Sequence, residues 1–152
     1  MIAANIMSTD IVTVRSGDTL EKSLTLMSEN SVREIAVVDD EGMVVGLLTP
    51  DVILKKTVVE KSGENSPKSR ELQPFNRRLL DNLQCLSAMD VCDAMARDVV
   101  KVGPEISTDE VSKILLTPEK GVTCVAVVDD RGALLGIIRP LDVVRRLWEH
   151  VD

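Results

Sequence analysis

The chain contains the stretch REIAVVDDEG at residues 33–42, which returns as TCVAVVDDRG at residues 123–132. In each copy an apolar segment follows, Met43–Leu48 or Ala133–Ile138, and a proline stands shortly after it. This repetition predicts two similarly folded halves related by pseudo-twofold symmetry. Halves packed in this way leave clefts between them, and small molecules commonly bind in clefts. The duplication therefore favours a binding function.

The composition argues against several classes of partner. Among the 152 residues only 1% are aromatic, which leaves almost no rings on which nucleic-acid bases could stack. The formal net charge of −7 also disfavours nucleic acids and anionic membranes as partners. No apolar run approaches the ~18 residues of a membrane span, and the N-terminal residues do not resemble a targeting segment. We therefore expect no nucleic-acid partner and no membrane partner.

The cysteines indicate a reducing compartment. Cys85, Cys92 and Cys124 are odd in number and lack the spacing of metal ligands. We interpret them as reduced thiols of a cytoplasmic protein and expect no metal site.

Each repeat is predicted to form a β-α-β-β-α unit. The first helix can be capped by Thr19 or Asp18 in repeat 1, and by a capping box of Ser107 with Glu110 in repeat 2. Two β-branched runs follow, and the intervening Asp39–Gly42 segment is typical of a hairpin turn. Its acidic residues supply too few oxygen ligands for calcium. The proline after the hairpin fits the first position of a closing helix.

The segment between the repeats has a different character. Residues 60–74 are rich in polar residues, proline and glycine and are predicted to be mobile. Leucines within residues 79–86 predict a short amphipathic helix, which either packs over the module or forms a self-association surface. We therefore divide the chain into repeat 1 (1–57), a linker (58–88) and repeat 2 (89–152).

These motifs resemble the cystathionine-β-synthase (CBS) domain, and the pair resembles a tandem CBS, or Bateman, module. The shared features are V-x-P-x-x-[ST] before the first helix, the apolar-x-V-V-D hairpin, and a glycine with two apolar residues before the closing helix. The first is carried by Val102, Pro104 and Ser107. The resemblance implies an α+β fold of two pseudo-symmetric repeats packed through their sheets, with two clefts that commonly bind AMP, ADP, ATP or S-adenosylmethionine. It also implies a homodimer, for which the helices around Leu20–Met27 and Val111–Leu116 are candidates.

The resemblance assigns candidate ligand contacts in each cleft. In the family a strand start from one repeat faces the adenine, and G-Φ-Φ-[ST]-x-x-D from the other repeat supplies an Asp for the ribose. One cleft, here called the Arg139 cleft, would combine five residues: Arg139, Asp142, Val32, Arg33 and Glu34. The other, here called the Thr49 cleft, would combine Thr49, Asp51, Val122, Thr123 and Cys124.

The match to the family pattern favours the Arg139 cleft. Asp142 is in register, although Arg139 replaces the usual Ser or Thr, whereas Asp51 lies one residue early on its helix. Purely structural roles are the alternatives: Thr49 as a helix cap, and Asp142 or Asp51 as acids that offset a helix dipole.

The function expected from the sequence is a regulatory module that binds an adenosyl nucleotide and signals to a separate effector protein. The alternative is a ligand-free structural or dimerisation module. We expect no enzymatic activity and no catalytic cofactor, because the chain lacks nucleotide-hydrolase, Rossmann and serine-hydrolase motifs. Cys124 has no histidine partner in the sequence that would activate it, and the one histidine, His150, lies two residues from the last residue of the sequence.

Overall fold

The computed structural model describes residues 1–59, 75–117 and 121–151 of the chain. The elements of repeat 1 and the helix after it are α1 (Ala3–Ile6), β1 (Thr13–Arg15), α2 (Leu20–Asn30), β2 (Ile35–Val38), β3 (Val44–Leu48), α3 (Pro50–Val59) and α4 (Phe75–Ser87). Those of repeat 2 are α5 (Val91–Ala94), β4 (Lys101–Val102), α6 (Thr108–Leu115), β5 (Val125–Val128), β6 (Leu134–Ile138) and α7 (Pro140–Trp148).

Each repeat forms a three-stranded sheet of the same design. The strand orders are β1-β2-β3 and β4-β5-β6, with the first strand parallel to the second and a hairpin joining the second and third. The registers correspond as well, since Val37 lies opposite Gly46 and Val127 lies opposite Gly136. The predicted α+β fold of two β-α-β-β-α repeats is confirmed.

The aspartate of each hairpin stabilises its turn. Asp39 Oδ1 accepts hydrogen bonds from the N–H groups of Glu41 and Met43, both at 2.9 Å, and Asp129 does the same in repeat 2. The glycine of each turn has a positive φ, +80° at Gly42, which glycine adopts without steric cost. The turn prediction is confirmed, and the carboxylates have a structural role.

The capping residues predicted from the sequence are present at the starts of α2 and α6. Thr19 Oγ1 accepts a hydrogen bond from Lys22 N–H at 3.3 Å and caps α2. Asp18 instead accepts the N–H of Arg15 at 2.9 Å, and this hydrogen bond is the main reason that its pKa is lowered. In repeat 2 the predicted capping box of Ser107 and Glu110 is present.

The two repeats exchange their leading segments. Ser8 pairs through its backbone with Ile137 on β6, at N···O distances of 2.9 and 3.0 Å, and Ala96 pairs with Leu47 on β3, both at 2.9 Å. The short helix that precedes each exchanged segment also packs on the opposite repeat. Helix α1 packs into the core of repeat 2, and α5 packs into the core of repeat 1. Each half is therefore completed by residues that belong to the other repeat in sequence.

The helix predicted near residues 79–86 is present as α4. Leu83 and Leu86 pack against the core of repeat 1, and Asn82 Nδ2 donates a hydrogen bond to the Thr57 carbonyl at 3.0 Å. This favours packing over the module, the first of the two alternatives for this helix. The predicted mobile stretch 60–74 lies outside the described residues, and the division into 1–57, 58–88 and 89–152 stays a prediction.

Gly136 provides a test of the exchange. An added Cβ at Gly136 would lie 2.6 Å from Met7 Sδ and 2.9 Å from Met7 Cβ, because the exchanged segment crosses β6 there. We expect Gly136→Ala to lower the free energy of unfolding by about 1–3 kcal/mol through overpacking, measured by urea denaturation.

The matched control is Gly103→Ala, since nothing lies within 4 Å of a Cβ at that position. Its effect should stay within about 1 kcal/mol. Equal losses in both variants would contradict close packing of Met7 on β6.

Candidate ligand-binding site

The Thr49 cleft is an open cavity of about 330 Å³ between the two repeats. One wall comes from the end of β3 and the first turns of α3, and the other comes from the segment before β5. The exchanged segment after α5 forms the floor. The lining residues are Leu47, Thr49, Asp51, Val52, Lys55, Ala96, Asp98, Val99, Val100, Gly121, Val122, Thr123 and Cys124. All five residues assigned to this cleft from the sequence are therefore brought together.

Thr49 has a structural role as well as a place in this wall. Its side chain is buried, and Oγ1 accepts a hydrogen bond from Val52 N–H at 3.3 Å, which caps α3. Asp51 is the second residue of α3, and its side chain is exposed. Lys55 lies one turn further along the same helix. The cavity thus presents a carboxylate and an ammonium group beside a capped helix start.

Cys124 forms an apolar part of the opposite wall. Its side chain is buried and packs with Ala36 and Ile137 in a small cluster between the repeats. Burial raises the pKa of the Cys124 thiol to about 12, and the nearby charge of Glu34 adds to this effect. The thiol is therefore neutral at physiological pH, the form in which it is not a nucleophile.

The sequence missed several residues of this cavity. Asp98 and the neighbouring Ala96, Val99 and Val100 enter it because the leading segment of repeat 2 crosses to repeat 1. The repetition of Asp10 as Asp98 is visible in the sequence, but only the exchange places Asp98 beside Thr49. Lys55 was also missed, although its spacing of one helical turn from Asp51 could have indicated a shared face.

The Arg139 cleft has a different interior, because an ion pair crosses it. Arg139 Nε lies 3.5 Å from Glu34 Oε2 and 3.9 Å from Asp142 Oδ2. Asp142 Oδ2 also accepts the backbone N–H of Arg139 at 2.8 Å, at the start of α7. The side chains of Glu34 and Asp142 are only 13% and 14% exposed, and that of Arg139 is 30% exposed.

The other two residues assigned to the Arg139 cleft do not join this cluster. Val32 is half-buried and packs on the core of repeat 1, while Arg33 is exposed and forms no ion pair within the described residues. The structure therefore brings together Glu34, Arg139 and Asp142 of the five predicted residues. Asp142 also contacts a smaller cavity of about 270 Å³ beside α1, with Ser8 and Arg145.

Outside the clefts, the side chains of Asp90, Cys92 and Asp93 place their ligand atoms within 4.8 Å of one another. They lie at the surface around the four-residue helix α5, with Asp90 and Asp93 exposed. Among the described residues, no helix combines the length and the apolar character needed to cross a bilayer.

The ion pair predicts a specific dependence of stability on pH. The pKa of Glu34 is raised, because the cost of burying its carboxylate exceeds the attraction of Arg139 and Arg33, and Asp142 adds repulsion. A carboxyl group with a raised pKa binds its proton more tightly in the folded state, so protonation favours folding. The charge lowers stability most above the pKa of the folded state.

We therefore expect wild type to gain stability relative to Glu34→Gln as the pH is lowered from about 7 to about 4. Urea denaturation at each pH gives the difference in free energy of unfolding. Glu29→Gln makes the same chemical change at an exposed position of α2 and is the control for the substitution itself. A wild-type advantage that grows instead with rising pH would contradict the raised pKa.

Comparison with known proteins agrees with the geometry. The family model of the CBS domain matches residues 3–58 and residues 90–149. The uncharacterized protein MJ1404 of Methanocaldococcus jannaschii is 32% identical over 148 residues, a match that covers 92% of this chain. The chain spans 30% of the length of that relative.

Solved structures share the fold. CBSX2 from Arabidopsis thaliana superposes with a TM-score of 0.77 at 21% identity and covers 97% of this chain and 94% of its own. CBSX2 has also been solved in complex with AMP, with a TM-score of 0.73 at 20% identity, over 97% of this chain and 96% of that one.

The CBS domain pair of protein MJ0100, in complex with 5′-methylthioadenosine and S-adenosyl-L-methionine, has a TM-score of 0.71 at 17% identity, over 99% of this chain and 98% of its own. The two matches of one family model together cover more than half of the chain. The chain therefore belongs to the CBS domain family and carries two copies of the domain.

Proposed function

We propose that this chain is a regulatory module that binds an adenosyl ligand in the Thr49 cleft. The observation that carries the proposal is the cavity of about 330 Å³ between the repeats, a size in the range of small-molecule sites. Complexes of CBSX2 with AMP and of MJ0100 with 5′-methylthioadenosine and S-adenosyl-L-methionine support the ligand class.

The chemistry of the cavity fits the parts of such a ligand. Val52, Val122 and Cys124 offer apolar surface to an adenine ring, and backbone groups beside Thr123 can hydrogen-bond its edge. The carboxylates of Asp51 and Asp98 can accept hydrogen bonds from a ribose diol. Lys55 can meet a phosphate or carboxylate at the cavity mouth.

Regulation is the proposed output of binding. A ligand that contacts both repeats changes the equilibrium between two arrangements by its difference in affinity for them. A separate effector protein would sense that change. We place this activity in the cytoplasm, since all three cysteines are free thiols. Catalysis is not part of the proposal, because the thiol in the cavity wall is neutral and buried.

A ligand panel tests this function. At about 100 times its dissociation constant, a ligand should stabilise the stripped protein by about 2.7 kcal/mol, measured by thermal unfolding. The panel is AMP, ADP, ATP, S-adenosylmethionine, 5′-methylthioadenosine and NAD. Thr123→Phe should abolish the stabilisation, because the exposed Thr123 side chain lines the cavity and a ring would fill it.

Arg33→Phe is the matched control, since Arg33 is the exposed residue that corresponds to Thr123 in the other repeat. It should leave the stabilisation unchanged. If Arg33→Phe abolishes it and Thr123→Phe does not, the ligand binds in the Arg139 cleft. The absence of stabilisation by every ligand would refute adenosyl binding.

A dimerisation module is the second candidate function, and the outer face of α7 favours it. Val144 and Trp148 are 59% and 75% exposed, and Leu141, Leu147 and Val151 are exposed beside them. An apolar helix face of this kind is typical of a protein–protein contact. On α2, by contrast, Leu20 and Met27 of the predicted interface are buried within repeat 1. Val111 on α6 is also buried, whereas Leu116, the residue after α6, is exposed.

We expect a homodimer through α6 and α7. Light scattering across the micromolar range should give a dimer mass for wild type and a monomer mass for Val144→Glu/Trp148→Glu, since two buried charges would oppose association. Leu54→Glu is the control, because Leu54 corresponds to Val144 and is 57% exposed in repeat 1. A monomer mass for wild type would refute the dimer.

A further inference from the structure

The two clefts differ at two corresponding positions that face each other across the boundary between the repeats. Alignment of the hairpins pairs Glu34 with Cys124, and alignment of the segments GLLTP and GIIRP pairs Thr49 with Arg139. In the Thr49 cleft both positions carry short, buried side chains, and the cavity lies between them. In the Arg139 cleft both carry long charged side chains.

These long side chains meet at the positions that correspond to Thr49 and Cys124, between which the cavity of the Thr49 cleft lies. Glu34 belongs to repeat 1 and Arg139 to repeat 2, yet their charged groups approach to 3.5 Å. The pair therefore spans the cleft from wall to wall. The burial of Glu34, which is only 13% exposed, shows that its carboxylate points inward rather than into solvent.

Arg139 is attracted to these carboxylates but is incompletely hydrogen-bonded by them. Its Nε is buried and, within the described residues, has no acceptor along its N–H bond, although Glu34 Oε2 is at ion-pair distance. Asp142 cannot improve on this, since it lies 3.9 Å away and its Oδ2 is bound to the Arg139 backbone N–H. A buried donor without a partner costs free energy, so an acceptor placed along this bond would be bound favourably.

We propose that Glu34 is a specificity-determining residue that occupies the anion position of the Arg139 cleft and so excludes phosphate-bearing ligands from it. A phosphate offers several oxygens to a guanidinium and would supply the missing acceptor. The carboxylate of Glu34, when charged, repels that phosphate. Because the fold holds Glu34 beside Arg139, this carboxylate competes with the phosphate for the guanidinium group. Together with the proposed function, this assigns the nucleotide to the Thr49 cleft and one ligand to each chain.

Arg139 can be observed directly, without use of a nucleotide. We would label the protein with ¹⁵N, follow the Nε–Hε signal of Arg139, and add inorganic pyrophosphate to wild type, Glu34→Gln and Glu29→Gln. Glu34→Gln keeps the shape of the side chain and removes its charge. Without the charge of Glu34, an oxygen of pyrophosphate can accept the Nε–H of Arg139, and a hydrogen bond between charged groups is among the stronger ones. The pyrophosphate concentration at the titration midpoint should therefore be about tenfold lower, or lower still, in Glu34→Gln than in wild type.

Glu29→Gln makes the same chemical change at an exposed site and should titrate like wild type. Glu34→Ala provides a second variant and should lower the midpoint in the same direction, and the backbone amide spectrum verifies that each variant is folded. A midpoint equal to that of wild type in both folded Glu34 variants would overturn the proposal, as would the absence of any response of Arg139 in them.

The same samples separate this inference from the proposed function. Addition of AMP, followed at the amides of Thr123 and Cys124, tests binding in the Thr49 cleft. If those amides do not respond to AMP or to the other ligands of the panel, the proposed function fails, while the pyrophosphate titration still decides the role of Glu34.

Discussion

The exchange of leading segments between the repeats is the constraint on which the remaining structure depends. Ser8 and Ala96 each complete the sheet edge of the opposite repeat through two backbone hydrogen bonds. Met7 and Met95 then pack over Gly136 and Gly46, where a larger residue would collide with them. Neither half has a complete core without a segment of the other, so the core of each repeat depends on the presence of the other repeat.

The clefts are a geometric result of this exchange. The Thr49 cleft has its floor in the exchanged segment 96–100, one wall at the start of α3, and the other wall before β5. Three separate stretches of sequence thus converge on one cavity. A ligand that contacts all three would stabilise the arrangement of the repeats, which is the physical basis of the proposed regulatory role.

Much of the fold could be predicted from the sequence, because local chemistry determines it. The Asp39 turn, the Thr19 cap and the Ser107–Glu110 capping box depend on contacts within four residues, and the structure contains each of them. The exchange could not be predicted in this way, because it joins Ser8 to Ile137, far apart in the chain. Repetition of a motif shows that two units exist but not which edge each segment joins.

For the candidate site, too, the local features could be predicted from the sequence and the long-range contacts could not. Residue types and their spacing predicted both sets of cleft residues. They favoured the Arg139 cleft because Asp142 aligns with the aspartate of the family pattern. Whether a cleft is open depends on which side chains meet across it, and the pairing of Glu34 with Arg139 depends on the relative position of the repeats. The preference for the Arg139 cleft stays a prediction, and the proposals above favour the Thr49 cleft on the geometry.

The exchange also has a consequence for biosynthesis. During translation the residues around Ser8 leave the ribosome long before their strand partner on β6 has been synthesised. Contacts so distant in sequence form slowly, because a long loop must close before they can contribute. Repeat 1 must likewise wait for α5 before its own core is filled. The nascent chain therefore exposes apolar surface of these segments until β6 has been synthesised, which is a period in which it is susceptible to aggregation and to chaperone binding.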